Sequence, residues 1–335
     1  MHCFYLVLLV IATCEGVHRI SLKLLTKKAG TAFMEDVSNQ YYMVPAVIGN
    51  QEFDLLVDTG SANTWVVSVN CSSEDCSSLK KYDSKNSSTY QGTYNKSKFY
   101  LEYADGSTGK GYFSIDSVTI AGLTVRSQYF GEVVSDNGNG TFDGVFGLGP
   151  DSQVAPAGSF QPLTFLSNLK KDGVIKNRIF SLRLTGDDSS VLTIGEVDDS
   201  LYTGKLIYAS VLANYSSWTI LVDSMNSGNT TIGTNINTVV DSGTTAIALP
   251  ASFSDLFEDI PTLQEIDGGL VVRCSEISQL PNLNFTISGV EFNLQPEDYI
   301  LHIEDSYCQL LIMLLKDVIM ILGDNFFRKV LNSFS

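Results

Sequence analysis

Two short segments of the chain each place an aspartate directly after an apolar run. The first is "LLVDTGSANTWVV" at residues 55–67, and the second is "TVVDSGTTAIALP" at residues 238–250. Burying an unpaired carboxylate is costly, so Asp58 and Asp241 are not expected in such runs without partners. Because both segments read apolar–apolar–Asp–(Thr/Ser)–Gly–(Ser/Thr), they indicate an internal duplication in which each lobe brings one carboxylate to a shared seam.

A pair of aspartates at such a seam has a specific chemistry. Two closely spaced carboxylates cannot both ionise, so one keeps a proton while the other is charged, and the pair titrates as a unit. The charged member can take a proton from water and the protonated member can donate to a carbonyl oxygen, which is general acid–base hydrolysis without a covalent intermediate. Glycines that allow a sharp turn and hydroxyls that bond across the seam flank the pair: Thr59, Gly60, Ser61, Ser242, Gly243 and Thr244.

Other hydrolytic chemistries have little support in the sequence. The chain has three histidines, His2, His18 and His302, and the first two lie near the N-terminus. A zinc site of the HExxH type needs two histidines, and a Ser–His–Asp triad would depend on His302 alone. Neither a G-x-S-x-G elbow nor a Walker phosphate loop occurs. We interpret His302 as a surface residue and expect neither a metal ion nor a cofactor.

The composition describes a globular, acidic protein. With 335 residues and a hydrophobic fraction of 44%, the chain is long enough for two domains with sizeable cores. Its formal net charge of −16, with 21 Lys and Arg, argues against nucleic-acid partners and against binding to anionic membranes. Beyond the N-terminus no stretch of 18 uninterrupted apolar residues occurs, so we expect no stable membrane insertion.

The N-terminal segment predicts a precursor that is processed. The apolar run "CFYLVLLVIA" at residues 3–12 is typical of a secretory signal peptide, here placed at residues 1–16. A basic stretch follows, and we interpret residues 17–39 as a propeptide whose charge neutralises an acidic site until removal. The remaining chain divides into an N-terminal lobe at residues 40–204, which includes a flap, and a C-terminal lobe at residues 205–335. We expect a secreted, extracellular protein, with a vacuolar or lysosomal lumen as the alternative.

Cysteines and glycosylation sequons agree with secretion. Four cysteines lie outside the predicted signal peptide, and they allow three pairings, of which the sequence-local one is the simplest: Cys71–Cys76 and Cys274–Cys308. A metal site is the rival interpretation, but its ligands would lie on unrelated segments with the wrong spacing. Seven N-x-S/T sequons are candidates for glycosylation, at Asn70, Asn86, Asn95, Asn139, Asn214, Asn229 and Asn284.

The elements that must hold the two aspartates are mostly strands. From residue 41 onward, short runs of Val, Ile, Thr, Tyr and Phe alternate with Gly, Asn, Asp and Ser, which predicts an all-β protein with two sandwich- or barrel-like lobes. The motifs "TIAGLTV" and "TISGVEF" share a glycine bend between two alternating stretches. Helical spacing is limited to residues 162–175 and to a shorter candidate at residues 250–260.

Together these motifs resemble the pepsin-like aspartic proteases. The segment "VHRISLK" is similar to the propeptide of that family, and "YADGSTGKG" at residues 103–111 resembles its flap hairpin. The segments "FDGVFGLG" at residues 142–149 and "ILGD" at residues 321–324 resemble the two hydrophobic–hydrophobic–Gly segments that pack against the catalytic loops. The resemblance implies an all-β, bilobal pepsin-like acid protease fold, with the active-site cleft between two β-barrel-like lobes.

The resemblance also implies roles for individual residues. Asp58 and Asp241 become the catalytic dyad. Ser61 and Thr244 donate hydrogen bonds to the outer carboxylate oxygens. Thr59 and Ser242 form hydrogen bonds that hold one lobe against the other. Tyr103 covers the cleft and leans toward Trp65, and the backbone at Asp105 and Gly106 binds substrate amides. The family pattern implies the same two disulfides, Cys71–Cys76 and Cys274–Cys308.

The implied activity is that of a monomeric acid endopeptidase, made as a zymogen, that cuts proteins or peptides between bulky hydrophobic residues. The alternatives are a non-catalytic peptide-binding or inhibitor-like relative, or a folding-impaired form. The last alternative arises because the sequence stops at Ser335, where family members continue through a further strand. From that difference we expect an unpaired β edge or a less stable C-terminal lobe.

Overall fold

The computed structural model describes residues 5–9, 30–37, 41–138, 140–187, 189–228, 230–257, 260, 262–266, 269–304, 306–316 and 319–335. Strands dominate these residues, as the sequence predicts. Those of the first half are β1 (Tyr5–Leu9), β2 (Gly30–Val37), β3 (Tyr41–Ile48), β4 (Gln51–Asp58), β5 (Trp65–Val67), β6 (Gly92–Glu102), β7 (Thr108–Ile120), β8 (Leu123–Asp136), β9 (Gly144–Gly147), β10 (Phe180–Arg183) and β11 (Ser190–Ile194).

The second half continues this pattern with shorter strands. They are β12 (Leu206–Ser210), β13 (Thr219–Ser227), β14 (Thr230–Val240), β15 (Ile247–Pro250), β16 (Gln264–Ile266), β17 (Gly269–Arg273), β18 (Leu283–Ile287), β19 (Val290–Leu294), β20 (Ile300–Glu304), β21 (Tyr307–Leu310), β22 (Ile312–Leu315), β23 (Met320–Leu322) and β24 (Asn332–Phe334).

Three sheets build two lobes. A 13-stranded sheet contains β2–β11 together with β1, β12 and β24, and its order is β12-β1-β24-β10-β11-β2-β3-β4-β9-β5-β8-β7-β6. The second half contributes a 7-stranded sheet, β19-β18-β13-β14-β23-β15-β22, and a 4-stranded sheet, β16-β17-β21-β20. This all-β arrangement in two lobes agrees with the bilobal pepsin-like fold that the sequence predicts.

Each of the two predicted catalytic segments follows a strand, and the two strands have the same pattern of neighbours. β4 ends at Asp58 and pairs in parallel with β9, with Asp58 opposite Gly147. β14 ends at Val240 and pairs in parallel with β23, with Val240 opposite Leu322. Each partner strand is in turn bonded to a second, antiparallel neighbour, β5 in the first lobe and β15 in the second. Each aspartate therefore lies at the end of a strand in the interior of its sheet.

Two hairpin turns repeat the same backbone conformation in the two halves. The turn between β7 and β8 has positive φ at Ala121 (52°) and Gly122 (73°), and the turn between β18 and β19 has positive φ at Ser288 (50°) and Gly289 (75°). Two consecutive residues with positive φ give the turn type that suits a right-twisted hairpin. The glycine bends predicted in "TIAGLTV" and "TISGVEF" are confirmed.

Helices are few and short. The predicted helix at residues 162–175 is α1 (Phe165–Lys171), whose N-terminus is capped by the Thr164 hydroxyl accepting from the Ser167 N–H. α2 spans Asp324–Phe327. The candidate at residues 250–260 is a 3₁₀ helix (Ala251–Phe257) and not an α-helix, which suits so short a segment. Among the described residues, the structure has no helix with the length and apolar character needed to cross a membrane.

The remaining 3₁₀ turns lie in loops. They are Glu74–Cys76, Ser84–Asn86, Asp151–Gln153, Asp199–Leu201, Cys274–Gln279 and Pro296–Asp298. The turn at Asp151–Gln153 directly follows the β9 segment that supports the first aspartate, so its side chains can reach the catalytic loop.

The two ends of the chain meet in the large sheet. β1 lies between β12 and β24, with Leu6 opposite both Ala209 and Phe334. β10 pairs with the other side of β24. In the described chain β1 occupies the edge beside β24, and because residues 5–9 lie in the predicted signal peptide, the unpaired edge expected for the processed chain stays a prediction. Residues 5–9 belong to the predicted signal peptide and residues 30–37 to the predicted propeptide, and cleavage of either stays a prediction.

An aromatic cluster contains residues from both halves of the chain. Phe180 and Phe334 stack with ring centroids 4.6 Å apart, and Trp218 lies 5.5 Å from the ring of Phe334. All three side chains are buried. Large aromatic side chains bury much apolar surface, so this cluster ties the lobes together close to the seam.

Both sequence-local disulfides are present in the structure. Cys71 is bonded to Cys76 and Cys274 to Cys308. The predicted surface residue His302 is exposed, with its Nδ1 3.2 Å from the Cys308 Sγ. Because both cysteines of that pair are bonded to each other, their sulfurs are occupied by the disulfide.

The sequons lie in different environments. Asn70, Asn86 and Asn214 are exposed, and Asn284 is half-buried with its amide oxygen accepting from Asn293. Asn139 and Asn229 lie outside the described residues, as does the side chain of Asn95. Their glycosylation stays a prediction.

Candidate active site

The Asp58 carboxylate lies at the end of β4 and is surrounded by donors from its own turn. Its Oδ1 accepts from the Gly60 N–H at 2.8 Å and from the Ser61 N–H at 3.2 Å. Its Oδ2 accepts from the Ser61 hydroxyl. Only 4% of the residue is exposed. These bonds compensate for the burial that made an aspartate unexpected in this strand.

The Asp241 carboxylate has an equivalent set of donors. Its Oδ1 accepts from the Gly243 N–H at 2.8 Å, and its Oδ2 accepts from the Thr244 hydroxyl at 2.7 Å. Asp241 is partly exposed, in contrast to Asp58. The same triplet chemistry therefore gives two carboxylates with different access to solvent.

The two carboxyl groups lie against each other at the seam. A Cβ added to Gly60 would lie 2.5 Å from the Asp241 Cγ, and one added to Gly243 would lie 2.5 Å from the Asp58 Oδ1. Neither position has room for a side chain, which explains why both triplets use glycine. The glycine of each triplet thus makes space for the carboxylate of the other.

This arrangement raises the pKa of Asp58 above its ordinary value. Burial is the largest cause, and the charge of Asp241 is the next. Donation from Ser61 and from the Gly60 N–H acts in the opposite direction because it favours the charged form. A raised pKa makes Asp58 suited to keep a proton while its neighbour is charged.

Thr59 and Ser242 form a reciprocal pair across the seam. The Thr59 N–H donates to the Ser242 hydroxyl at 3.2 Å, and the Ser242 N–H donates to the Thr59 hydroxyl at 2.9 Å. Each hydroxyl then donates to the strand of the other lobe, Thr59 to the Val240 carbonyl at 3.0 Å and Ser242 to the Val57 carbonyl at 2.7 Å. Four hydrogen bonds between buried groups thus fix one loop against the other.

The predicted flap is the hairpin of β6 and β7. Its Tyr103 hydroxyl accepts from the Trp65 indole N–H at 2.7 Å, so the contact predicted between these side chains is present. Trp65 is buried and Tyr103 is partly buried. Burial and the charge of Asp58 raise the pKa of Tyr103, which stays protonated at any pH of interest.

Asp105 and Gly106 form the exposed tip of this hairpin. The Asp105 carboxylate accepts from the Ser107 N–H at 2.8 Å, and the Gly106 N–H donates to the Tyr103 carbonyl at 3.0 Å. Gly106 has φ +84°, a conformation that favours glycine. The tip is thus a defined turn that is exposed to solvent.

Two polar residues close to the seam, Gln153 and Asp324, are not predicted by the sequence motifs. Gln153 donates from its side-chain amide to the Gly60 carbonyl. Asp324, in the "ILGD" segment, is 1% exposed and, within the described part of the chain, neither of its carboxylate oxygens has a hydrogen-bond partner. Burial raises its pKa well above the usual value of 3.8. The only sequence signal was its position next to the glycine of that segment.

Comparison with known proteins gives the family. A sequence model of the eukaryotic aspartyl proteases matches residues 41–335. The chain belongs to this family. It is 34% identical to pepsin A of Rhinolophus ferrumequinum over 291 residues, which are 84% of this chain and 73% of that protein. It is 38% identical to gastricsin of Cavia porcellus over 271 residues, 77% and 66% of the two chains. Pepsin A of Sus scrofa is 34% identical over 265 residues, 76% and 67%.

Family membership confirms the resemblance to pepsin-like proteases. It also confirms the predicted class of enzyme, an aspartic-type endopeptidase that hydrolyses peptide bonds. The matched residues contain both aspartate triplets and the flap of this aspartyl protease.

Proposed function

We propose that this aspartyl protease hydrolyses peptide bonds with one water molecule held between Asp58 and Asp241. The observation that carries the proposal is the interlocking of the two triplets, in which Gly60 faces the Asp241 carboxyl and Gly243 faces the Asp58 carboxyl. Two carboxyl groups that lie this close together share one proton, and the shared proton provides both an acid and a base in one site.

In the proposed mechanism the roles of the aspartates differ. Because its pKa is raised, Asp58 is the better candidate for the protonated member that donates to the substrate carbonyl. Asp241, partly exposed, takes the proton from water as it attacks. Ser61 and Thr244 hold the outer carboxylate oxygens, and their bonds keep each carboxyl aligned with the seam.

The proposed substrate is an extended peptide with bulky hydrophobic residues at the cut. The hairpin of β6 and β7 acts as a flap, and Tyr103 covers the cleft while its hydroxyl bonds to Trp65. The backbone at the exposed tip, Asp105 and Gly106, binds substrate amides in the manner of strand addition.

The proposed life cycle is that of a secreted zymogen. Residues 1–16 direct secretion and residues 17–39 cover the acidic site until they are removed at low pH. The two disulfides and the exposed sequons at Asn70, Asn86 and Asn214 suit an extracellular protein, which we propose acts as a monomer.

The test is digestion of casein or haemoglobin across acid pH, with and without a statine-type inhibitor. We expect inhibitor-sensitive cleavage below about pH 5, because one member of the dyad must be protonated. Asp58→Asn and Asp241→Asn are each expected to lower kcat by about 10²–10⁴-fold. Asp199→Asn changes an exposed carboxylate and serves as the matched control. A folded wild-type sample without inhibitor-sensitive cleavage would favour a non-catalytic peptide-binding protein.

A further inference from the structure

Gln153 reaches the first aspartate triplet from the segment that follows β9. It is the last residue of the 3₁₀ turn Asp151–Gln153, and its own N–H donates to the Pro150 carbonyl at 2.9 Å. Its side-chain Nε2 donates to the carbonyl of Gly60, 93 residues earlier in the chain. A carbonyl oxygen only accepts, so the amide NH₂ group must be the part of Gln153 that faces Gly60.

The same segment fixes the carbonyls on either side of Gly60. The Leu148 N–H donates to the Asp58 carbonyl and the Gly149 N–H donates to the Ser61 carbonyl, each at 2.7 Å. Backbone donors therefore hold the two ends of the turn, and its centre is held by a side chain. The bond from Gln153 is the part of this support that a substitution can remove without changing the backbone.

The other end of the Gln153 amide is also confined. Its Oε1 is buried, and among the residues that the structure describes it has no hydrogen-bond partner. It packs against Gly149, where an added Cβ would overlap it. An unpaired buried acceptor is unfavourable, so the bond to Gly60 compensates for a cost at the opposite end of the same group.

The Gly60 carbonyl and the Ser61 N–H belong to one planar peptide unit. The Ser61 N–H donates to the Asp58 Oδ1 at 3.2 Å, so Gln153 acts on one end of a peptide whose other end faces the carboxylate. Hydrogen bonds in such a chain polarise one another, and fixing the carbonyl fixes the direction of the N–H. The Gln153–Gly60 bond therefore affects the hydrogen bond that Asp58 accepts from the Ser61 N–H.

We propose that Gln153 is a positioning residue, which holds the Gly60–Ser61 peptide so that its N–H donates to Asp58. This role rests on the proposed catalytic function of Asp58. In the second triplet the corresponding Thr244 N–H lies 3.4 Å from the Asp241 main-chain carbonyl, and the side-chain hydroxyl supplies the bond to the carboxylate. The positioning role thus belongs to the first triplet.

The test compares Gln153→Leu with Gln153→Glu in the full chain, using a fluorogenic peptide between about pH 2.5 and pH 6. Gln153→Leu is expected to lower kcat about tenfold at every pH, with KM within about twofold, because the misplaced carboxylate affects chemistry more than binding. Gln153→Glu is expected to match wild type at the lowest pH, where its protonated carboxyl donates to Gly60. It is expected to fall to the level of Gln153→Leu as pH rises through the pKa of the introduced glutamate, which burial raises above the usual value of about 4.3.

Gln161 provides a matched control because its side chain makes the same kind of bond, donating to the Val154 carbonyl at 2.6 Å. Gln161→Leu and Gln161→Glu are expected to keep the wild-type kcat and pH profile. A profile for Gln153→Glu that matches wild type throughout, together with an unchanged kcat for Gln153→Leu, would overturn the positioning role.

A second readout does not depend on activity. In ¹³C NMR of labelled aspartate, Gln153→Leu is expected to raise the pKa of Asp58, since a weaker Ser61 N–H bond favours the charged form less. Gln161→Leu is expected to leave it unchanged. A shifted titration in a protein without peptidase activity would support the positioning role and overturn the proposed function. An unshifted titration in an active enzyme would overturn the positioning role alone.

Discussion

The two aspartate loops share a backbone design and differ in what surrounds them. In each loop a glycine N–H donates to Oδ1 at 2.8 Å, and a hydroxyl three residues after the aspartate donates to Oδ2. Asp58 is almost fully buried, whereas Asp241 is partly open to solvent. The repeated triplet therefore accounts for the shared geometry, and deep burial accounts for the raised pKa of Asp58, on which its proposed role as the acid depends.

The segments that support the loops differ in the same way. Gly149 donates to the Ser61 carbonyl in the first lobe, and Asp324 donates its N–H to the Thr244 carbonyl in the second. The donor is the second residue after Gly147 in the first lobe and the first residue after Gly323 in the second, so the two bonds come from different positions of the two segments. In the first lobe the amide of Gln153 fills the space next to Gly149 that a side chain would need. The same backbone bond is kept while the side chains adapt to local packing.

Filling the glycine positions is expected to have the largest effect on the shared seam. Gly60→Ala and Gly243→Ala each force a Cβ against the carboxyl of the other triplet, and we expect kcat to fall by at least about 100-fold in both. The measurement is kcat on a fluorogenic peptide, beside thermal unfolding. Gly109→Ala, whose Cβ would meet Val133 at an ordinary 3.5 Å, should fold with wild-type stability. An active Gly60→Ala beside an inactive Gly243→Ala would break the equivalence of the loops.

Removing the reciprocal hydroxyls is expected to cost stability equally in both lobes. Thr59→Val and Ser242→Ala each leave two buried backbone partners unpaired, so we expect the free energy of unfolding to fall by about 2 kcal/mol in either case. Urea unfolding measures the loss. Thr193→Val removes a buried hydroxyl that has no partner within the described chain, and it should be neutral or stabilising. A loss of stability in only one of Thr59→Val and Ser242→Ala would contradict the equivalence of the two hydroxyls.

The buried carboxyl of Asp324 makes the second lobe sensitive to pH. Burial raises its pKa, and the charges of Asp241, Asp36 and Asp58 raise it further, against the opposing effect of Arg328. The folded state binds the proton more tightly, so this contribution to stability is complete below the ordinary pKa of 3.8 and is lost as pH rises through the raised value.

Asp324→Asn should therefore flatten the decline of stability between pH 4 and pH 7, with the free energy of unfolding differing by about 1.4 kcal/mol for each unit by which the pKa was raised. Thermal unfolding at fixed ionic strength measures this effect, with the exposed Asp199→Asn as the control. The raised pKa of Asp58 contributes a decline of the same sign, so part of the slope should remain. A slope identical to wild type would show that Asp324 does not carry this sensitivity.

The smallest effect is expected at the predicted flap of the first lobe. Tyr103→Phe removes the acceptor of the Trp65 N–H and is expected to lower kcat/KM about fivefold, in line with about 1 kcal/mol for one hydrogen bond. Tyr100→Phe removes a hydroxyl that bonds to Glu102 at an exposed site, and kcat/KM should not change. Equal losses in the two variants would assign the effect to the hairpin in general and not to the Tyr103–Trp65 bond.

The sequence by itself determined the features whose geometry is local. Each Asp–Thr/Ser–Gly triplet encodes its own turn, because the glycine N–H reaches the aspartate two residues earlier. The glycine bends of two hairpins and the flap are likewise short-range, as is the Cys71–Cys76 disulfide. The repeated triplet was enough to predict two lobes with one carboxylate each, and the structure brings Asp58 and Asp241 together as predicted.

Tertiary structure alone decided which distant groups meet and how deeply they are buried. The Gln153–Gly60 bond joins residues 93 positions apart, and nothing in the spacing of the segment "PDSQV" points to it. The burial of Asp324 near Asp36 and Asp58 and the pairing of β24 with β1 likewise bring together residues that are far apart in the chain. Residue type and spacing encode turns and strand faces, but the pKa of a carboxyl depends on desolvation and neighbouring charges, which exist only after the lobes have packed.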